Sequence, residues 1–195
     1  MGRKASVARS TNETQINICF DLDGSGKADI STGIPFFDHM LTAFCVHGFF
    51  DLELKVKGDL EVDYHHTIED TGLVLGQALF TALEKKKQIV RFGDSSVPMD
   101  EALSKVTLDL SNRPYLVYNF PEDLKVKGQF GVDLAREFFQ SFCVQGAFNL
   151  HINSTYGNNE HHVLESIFKA LGRSLHMATR INQNIDDTLS TKGSL

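Results

Sequence analysis

The stretch Phe44-Cys45-Val46-His47-Gly48-Phe49-Phe50 recurs 98 residues further along the chain as Phe142-Cys143-Val144-Gln145-Gly146-Ala147-Phe148. A second pattern, His-His-x-x-Glu, also occurs twice, in His65-His66-Thr67-Ile68-Glu69 and in His161-His162-Val163-Leu164-Glu165, at a spacing of 96 residues. A two-residue difference in the length of one loop accounts for the two spacings. The sequence therefore predicts a fold made of two similar halves.

Apolar periodicity predicts the order strand, strand, helix, strand, helix in each half. The turn at 23–26 should return the chain as a hairpin, and a further short strand is expected past Gly58. In the first half we expect strands near 14–22, 28–31 and 49–56, and helices over 35–47 and 67–87. In the second half we expect strands near 103–110, 115–119 and 147–155, and helices over 133–145 and 160–180.

The predicted fold class is α+β, a tandem repeat whose helices pack between two sheets, because this arrangement buries the apolar faces of all the helices. We expect one domain, with halves at about 1–94 and 95–180 and a polar tail over 181–195. Gly48 and Gly146 fall where the first helix of each half should end, a position that favours a left-handed cap.

Composition excludes several classes of partner. The net charge of -6 and the pI near 5.7 leave no basic surface of the kind that binds nucleic acid. The only basic run, Lys85 to Lys87, is predicted to be a solvated helix end. Cys19, Cys45 and Cys143 are odd in number and scattered, which favours core thiols in a reducing, cytoplasmic setting over a disulfide framework. No apolar run approaches the roughly 18 residues that cross a bilayer, so we expect no membrane contact.

The duplicated His-His-x-x-Glu pattern favours metal binding. Residues three or four apart share a helix face, so Glu69 can lie beside either His65 or His66, whereas the two adjacent histidines diverge. The simplest interpretation is two metal ions, each with ligands from both copies. Imidazole and carboxylate without thiolate suit Mn, Fe, Co, Ni or Zn. The alternative is a helix whose exposed start happens to be rich in histidine.

Further candidates lie outside this motif. His39 adjoins Asp38, an arrangement suited to a metal ligand with a carboxylate partner. Glu137 is the position in the second half that matches His39, so each would add a ligand. Glu13, in the first strand, is a candidate acid or base. Four basic residues near loop or helix ends are candidates for a phosphate clamp. They are Arg91, Arg113, Lys169 and Lys192.

In these and further segments the chain resembles the imidazoleglycerol-phosphate dehydratase family of histidine biosynthesis. The matches run in order over nearly the whole chain. They are Gly33 to Leu41, His65 to Asp70, Arg91-Phe92-Gly93, Pro98 to Ala102, Asn112 to Tyr115, His161 to Glu165, Phe168-Lys169-Ala170 and Ser190 to Gly193.

The resemblance implies a single catalytic domain with the fold of the second domain of ribosomal protein S5, a tail that closes over substrate, and two Mn²⁺ ions per active site. It also implies sites between chains in a homo-oligomer of 24 subunits. The implied metal ligands are His39, His65, His66, Glu69, Glu137, His161, His162 and Glu165. The implied substrate contacts are Glu13 and His47, as catalytic residues, with Arg91, Arg113, Lys169, Thr191 and Lys192.

Three positions depart from the family pattern. Glu137 stands where many relatives carry histidine, although a carboxylate remains a competent Mn ligand. Tyr64 stands where an aspartate usually precedes the histidine pair, which alters a contact behind the ligands. The proline common before Ser190 is missing, which bears on how the tail closes.

In the implied reaction, D-erythro-imidazole glycerol phosphate loses a hydroxyl from the carbon attached to the ring and a proton from the neighbouring carbon. The products are imidazole acetol phosphate and water. That proton is not acidic, because no carbonyl adjoins its carbon. If the ring binds two Mn²⁺ ions as an imidazolate, one nitrogen to each, its electron density can expel the hydroxyl. Glu13 is the candidate for proton transfer.

Two alternatives use the same residues differently. A two-metal phosphoester hydrolase would use the ions to activate water and would release phosphate. A metal-scaffolded shell would use the histidine pairs only to join subunits, and would leave Glu13, Arg91 and Arg113 dispensable. Neither explains the basic residues as well as the dehydratase does.

Overall fold

Two four-stranded sheets enclose two pairs of helices in the computed structural model, which describes residues 2–84, 86–121, 124 and 130–193. The first half contains β1 (Lys4–Ser10), β2 (Thr14–Asp21), β3 (Ala28–Ser31), α1 (Pro35–Gly48), β4 (Asp51–Gly58) and α2 (His65–Leu83). The second half contains β5 (Phe92–Met99), β6 (Ala102–Asp109), β7 (Tyr115–Asn119), α3 (Val132–Gly146), β8 (Asn149–Tyr156) and α4 (Glu160–Thr179).

Both sheets have the same strand order, β1-β2-β4-β3 and β5-β6-β8-β7. Neighbouring strands are antiparallel except at one edge, where β3 pairs with β4 and β7 with β8 in parallel. The helices lie between the sheets, as predicted: α2 covers β1 and β2, and α4 covers β5 and β6. The expected α+β tandem repeat is thus confirmed.

Helix pairing crosses between the halves, because α1 packs against α4 and α2 against α3. Glycines allow the backbones to approach closely. A Cβ on Gly172 of α4 would lie 2.3 Å from the carbonyl oxygen of Phe44, and one on Gly72 of α2 would lie 2.6 Å from that of Phe138. The two halves therefore share one core instead of forming separate ones.

The predicted hairpin is wrong, because β3 does not pair with β2. Asp51 at the start of β4 accepts hydrogen bonds from the backbone N–H groups of Ser25 (2.7 Å) and Lys27 (2.9 Å). These bonds tie the 23–26 loop to β4, and the chain passes beyond that strand before β3 begins. The strand expected past Gly58 is also absent from the described residues, where turns lead directly into α2.

Two edge strands, β1 and β5, were not predicted. Each pairs with one neighbour, β1 with β2 and β5 with β6. In β1 most side chains are at least partly exposed, so the apolar alternation that marks a strand is weak. Only Ala5 of β1 is buried, so this strand contributes little to the core and needs little apolar character.

Gly48 and Gly146 end helices, as expected, but they are not the left-handed caps. Positive φ occurs one residue later, at Phe49 (57°) and Ala147 (52°). A Cβ on Gly48 would lie 2.4 Å from the Phe50 ring, so the glycine leaves room for an aromatic side chain. The repeated Gly-x-Phe pattern thus reflects packing of the helix end, not its backbone angle.

The cysteines are all free, but only two are core residues. Cys45 and Cys143 are buried, and burial raises the pKa of both thiols, that of Cys143 to about 11. Cys19 is half-buried on the outer face of β2, where Ser6 donates a hydrogen bond to its sulfur at 3.2 Å. The core expectation is therefore wrong for Cys19. None of the helices among the described residues is both long and apolar enough to cross a bilayer.

Lys86 contradicts the expectation of a solvated helix end; its neighbour Lys85 lies outside the described residues. The Lys86 side chain is 2% exposed, and its ammonium lies 5.4 Å from the centre of the Phe80 ring and donates to the Ala147 carbonyl at 3.4 Å. Burial lowers the pKa of Lys86 to about 8, against an opposing influence from Asp109.

We expect Lys86→Met to raise the free energy of unfolding at pH 7 by about 1–3 kcal/mol, because a buried ammonium is replaced by an apolar chain of similar length. The advantage should shrink between pH 8 and 10.5, the folded and ordinary pKa values of the lysine. In that interval the folded wild type has lost the proton that the unfolded chain still binds, so wild-type stability rises with pH. Urea unfolding of both proteins across this range measures the difference. A difference that stays constant with pH would contradict the expected titration.

Candidate metal and substrate site

The ends of α1 and α4 bring together a group of three potential metal ligands, His39, His161 and Glu165. Glu165 Oε2 lies 3.0 Å from His161 Nε2 and 3.4 Å from His39 Nε2. All three ligand atoms lie within 4.8 Å of one another, and in the part of the chain that the structure describes no other such group occurs. One residue of the group comes from the first half and two from the second, but His39 lies outside the His-His-x-x-Glu motif and the copy at 65–69 contributes no residue to it.

Local sequence positions these side chains. Asn159 caps α4 by accepting a hydrogen bond from the N–H of His161 at 3.1 Å. Its first turn therefore begins just before the histidine pair, and Glu165 lies one turn beyond His161 on the same face. The Phe36 ring packs against His161 with ring centres 4.9 Å apart, which restricts the imidazole.

Glu165 is held as an anion. Burial opposes its ionisation, but hydrogen bonds from Lys169 and His161 outweigh this, so the pKa of Glu165 lies below its usual range. The Lys169 ammonium lies 2.7 Å from Glu165 Oε1. The group therefore presents one carboxylate and two imidazoles, a donor set that suits a divalent transition metal.

The corresponding region of α2 is more open. His65 Nε2 lies 3.2 Å from Glu69 Oε2 across one helical turn, and both side chains are about two-fifths exposed. Asp63 accepts a hydrogen bond from the N–H of His65 at 2.7 Å and so starts the helix. Glu137 is half-buried on α3, the helix that packs against α2. Among the described residues it is not part of any group of three potential metal ligands.

The second histidine of each pair points away from the first. Ring centres are 6.0 Å apart for His65 and His66, with planes near perpendicular, and 6.1 Å apart for the pair at 161–162. His66 Nδ1 lies 2.9 Å from Asp59 Oδ2, and this hydrogen bond raises the pKa of His66. His162 Nδ1 lies 2.6 Å from Glu101 Oε2, and this hydrogen bond lowers the pKa of Glu101 to about 2.

Glu13 is half-exposed and lies in the turn between β1 and β2, so the expectation that it belongs to a strand is wrong. Its Oε1 lies 3.7 Å from His66 Nε2. The Thr11 hydroxyl accepts from the N–H of Glu13 at 3.1 Å, which fixes this turn. The second half repeats the arrangement: in the turn between β5 and β6, Asp100 Oδ2 lies 3.7 Å from His162 Nε2. The structure thus brings Glu13 next to a predicted metal ligand.

A cavity of about 1130 Å³ lies between the start of β5, the loop after β6 and the tail. Arg91, Arg113, Thr191 and Lys192, four of the five predicted substrate-binding residues, line it. Their side chains and backbone N–H groups are hydrogen-bond donors, which suits an anion.

Arg91 links the strand to the tail. Its Nε and Nη2 donate to the Asp109 carboxylate at 2.7 and 3.1 Å, and its Nη1 donates to the Leu189 carbonyl at 2.6 Å. Arg113 approaches the same carboxylate at 3.8 Å and is 63% exposed. Arg113 therefore keeps most of its donors available to a ligand.

Lys169 and His47 lie away from this cavity. Lys169 contacts Glu165 of the metal-ligand group, so within one chain it is not part of the predicted clamp. His47 is half-buried in the last turn of α1. Burial, and then the positive charges of Lys169 and Arg173, lower the pKa of His47 and favour its neutral form.

Some functional contacts were not predicted. Asp38 does not contact His39; it accepts hydrogen bonds from the N–H and hydroxyl of Thr32 at 2.9 and 2.6 Å, so the predicted carboxylate partner is wrong. The carboxylates that do contact imidazoles behind the site are Asp59 and Glu101. Glu101 lies in one of the segments quoted above for the resemblance, whereas Asp59 has no distinctive local signal.

Comparisons with known proteins identify the family and the fold of this chain. The profile of the imidazoleglycerol-phosphate dehydratase family matches residues 32–175. Proteins of that name from Desulfosudis oleivorans and Acetivibrio thermocellus are 53% and 52% identical over 195 residues, with full coverage of both chains.

The crystal structure of the enzyme from Pyrococcus furiosus superposes with a TM-score of 0.84 at 36% identity, covering 97% of this chain and all of that one. The crystal structure of the enzyme from Staphylococcus aureus superposes with a TM-score of 0.82 at 36% identity, covering 92% of this chain and 99% of that one. Sequence and fold likeness both extend over nearly the whole chain, and the chain belongs to the imidazoleglycerol-phosphate dehydratase family.

Proposed function

We propose that this hydro-lyase converts D-erythro-imidazole glycerol phosphate into imidazole acetol phosphate and water, in the cytoplasm, as a step of histidine biosynthesis. The observation that carries the proposal is the group of His39, His161 and Glu165, because its ligand atoms lie within 4.8 Å of one another. The cavity lined by Arg91 and Arg113 supports it by offering a site for the phosphate. The free cysteines fit a reducing compartment.

The ligand atoms fit a metal ion, since two imidazoles and a carboxylate converge with no thiolate. We assign two Mn²⁺ ions per active site. When bound, the ions supply positive charge that stabilises the deprotonated imidazole ring of the substrate. The residues that would hold them are His39, His65, His66, Glu69, Glu137, His161, His162 and Glu165.

Residues of the chain account for the rest of the reaction. The Glu13 carboxylate takes the proton from the carbon next to the one that loses hydroxyl. The hydroxyl gains a proton in exchange for the one that Glu13 removes and leaves as water, and the resulting enol becomes the ketone by losing its O–H proton and gaining a proton on the carbon that lost the hydroxyl. Neutral His47 can accept a hydrogen bond from a substrate hydroxyl. A clamp on the phosphate fixes the reacting carbons relative to Glu13. Its members would be Arg91, Arg113, Thr191 and Lys192, with Lys169 nearer the metal ions.

The active site would lie between subunits of a homo-oligomer of 24 chains. The second histidine of each pair supports this, because neither His66 nor His162 joins the three-ligand group formed within one chain. Each chain would be one catalytic domain with halves at about 1–94 and 95–180. The tail over 181–195 would close over substrate, in keeping with the position of residues 184–192 along the Arg91 cavity.

We expect His66→Ala to weaken both Mn²⁺ binding and assembly, because one histidine would serve an ion shared with a neighbouring subunit. Metal content after dialysis and sedimentation velocity measure the two effects. The matched control is His151→Ala, since His151 is exposed on β8. Full metal content and an unchanged oligomer in His66→Ala would contradict its role as a shared ligand.

The activity is tested by incubating Mn-loaded protein with imidazole glycerol phosphate and following the enolisable ketone and free phosphate together. Ketone without phosphate supports the dehydratase. Phosphate release would favour the hydrolase instead. The absence of both products from assembled, metal-loaded protein would point to a structural shell.

A further inference from the structure

Two carboxylates, Asp59 and Glu101, occupy equivalent positions behind the second histidine of each pair. Asp59 Oδ2 lies 2.9 Å from His66 Nδ1, and Glu101 Oε2 lies 2.6 Å from His162 Nδ1. The two carboxylates come from different kinds of segment, a loop after β4 and the turn between β5 and β6. The same contact therefore arises twice in a duplicated chain from unlike local sequence.

Glu101 is itself held in place by backbone groups. Its Oε1 accepts hydrogen bonds from the N–H groups of Asn158 (3.3 Å) and Asn159 (2.9 Å), just before α4. Its other oxygen meets His162. The carboxylate thus connects the β5–β6 turn to the start of the helix that carries the ligands.

Both contacts engage the same ring nitrogen. A carboxylate that accepts a hydrogen bond from Nδ1–H fixes the proton there and leaves the lone pair on Nε2. In both halves Nε2 is the atom that faces away from this carboxylate, towards Glu13 or Asp100 at 3.7 Å. His66 and His162 are therefore presented through the same atom and in the same tautomer.

We propose that Asp59 and Glu101 are positioning residues that orient His66 and His162 and fix their tautomer, so that each offers Nε2 to a metal ion. The inference rests on the proposed function, since it takes both histidines as ligands. It adds two residues that touch neither substrate nor metal. Carboxylate partners of this kind typically change metal affinity by about 10–100-fold.

The test is a titration of metal-free protein with Mn²⁺, following free Mn²⁺ by electron paramagnetic resonance, in wild type, Asp59→Asn and Glu101→Gln. The amide keeps the side-chain shape but can turn its NH₂ group towards Nδ1, which favours the wrong tautomer. We expect part of the bound Mn²⁺ to be held about 10–100-fold more weakly in each variant. The matched control is Asp23→Asn, because Asp23 pairs with Arg3 on another part of the surface.

Two further readouts separate positioning from a structural role. Loading with Co²⁺ should shift the visible absorption bands in both variants, and Asp59→Glu and Glu101→Asp should partly restore affinity. The unfolding temperature of metal-free Asp59→Asn should match the wild type, because among the described residues no backbone N–H donates to the Asp59 carboxylate, whereas two donate to that of Glu101.

Unchanged affinity and Co²⁺ spectra in Asp59→Asn would overturn the proposal, even if Glu101→Gln were impaired, since that variant also loses backbone bonds. Wild-type protein that takes up no Mn²⁺ would overturn the metal-dependent function and this inference with it. Wild-type uptake with wild-type affinity in both variants would overturn the inference alone.

Discussion

Glu13→Gln should lower kcat by about 10²–10⁴-fold, the usual contribution of a general acid or base, while leaving assembly and Mn²⁺ content intact. The amide has the shape of the carboxylate but cannot accept the substrate proton. Glu13 is 53% exposed and lies in the turn between β1 and β2, outside both strands, so the fold should not change. Steady-state kinetics of metal-loaded protein, with sedimentation of the same sample, measure both properties.

The control for this variant is Glu61→Gln. Glu61 lines the same surface cavity as Glu13 and is exposed, but has no predicted role. It should retain wild-type turnover. Near-normal activity in Glu13→Gln would assign proton transfer to another group, and an equal loss in both variants would point to the charge of the cavity as a whole.

Glu165→Gln should reduce Mn²⁺ affinity by at least about 100-fold and bring turnover close to zero. Glu165 lies within 3.4 Å of both His39 and His161, so one substitution removes the anion at the centre of the ligand group. It also leaves the Lys169 ammonium, 18% exposed, without its counter-charge. Metal analysis after dialysis against a graded series of Mn²⁺ concentrations measures the loss.

Glu53→Gln is the matched control, since Glu53 is exposed on β4. Excess Mn²⁺ should partly recover the activity of Glu165→Gln if the defect is affinity. A variant that binds Mn²⁺ like the wild type would show that Glu165 is not a ligand.

The helices and most strands were predictable because their signal is local. Pro35 starts α1, and the apolar faces of α2 and α4 follow a helical period. The position of β3 was not predictable, because the loop before it is bound by the side chain of Asp51, which lies 24 to 26 residues further along the chain, at the start of β4. Turn residues alone favour a hairpin there.

In the candidate site, too, contacts within one helix were predictable and contacts between distant segments were not. The proximity of candidate ligands on one helix, such as His161 and Glu165, was predictable from a spacing that places them on one face. Their partners in loops were not, because Asp59 and Glu101 reach the histidines through tertiary contacts. The prediction that Lys86 is solvated was wrong for a related reason. Its side chain is buried next to Ala147 at the end of α3, which lies 61 residues away in sequence.

The crossed pairing of α1 with α4 and α2 with α3 also bears on the origin of the chain. A half-length ancestor could not have completed this core alone, but two copies related by a two-fold axis would have formed both helix pairs and two identical sites. In such a homodimer every ligand position is filled by the same residue twice. Fusion of the duplicated genes released that constraint, and only afterwards could the two positions that the 98-residue spacing aligns diverge into His39 and Glu137.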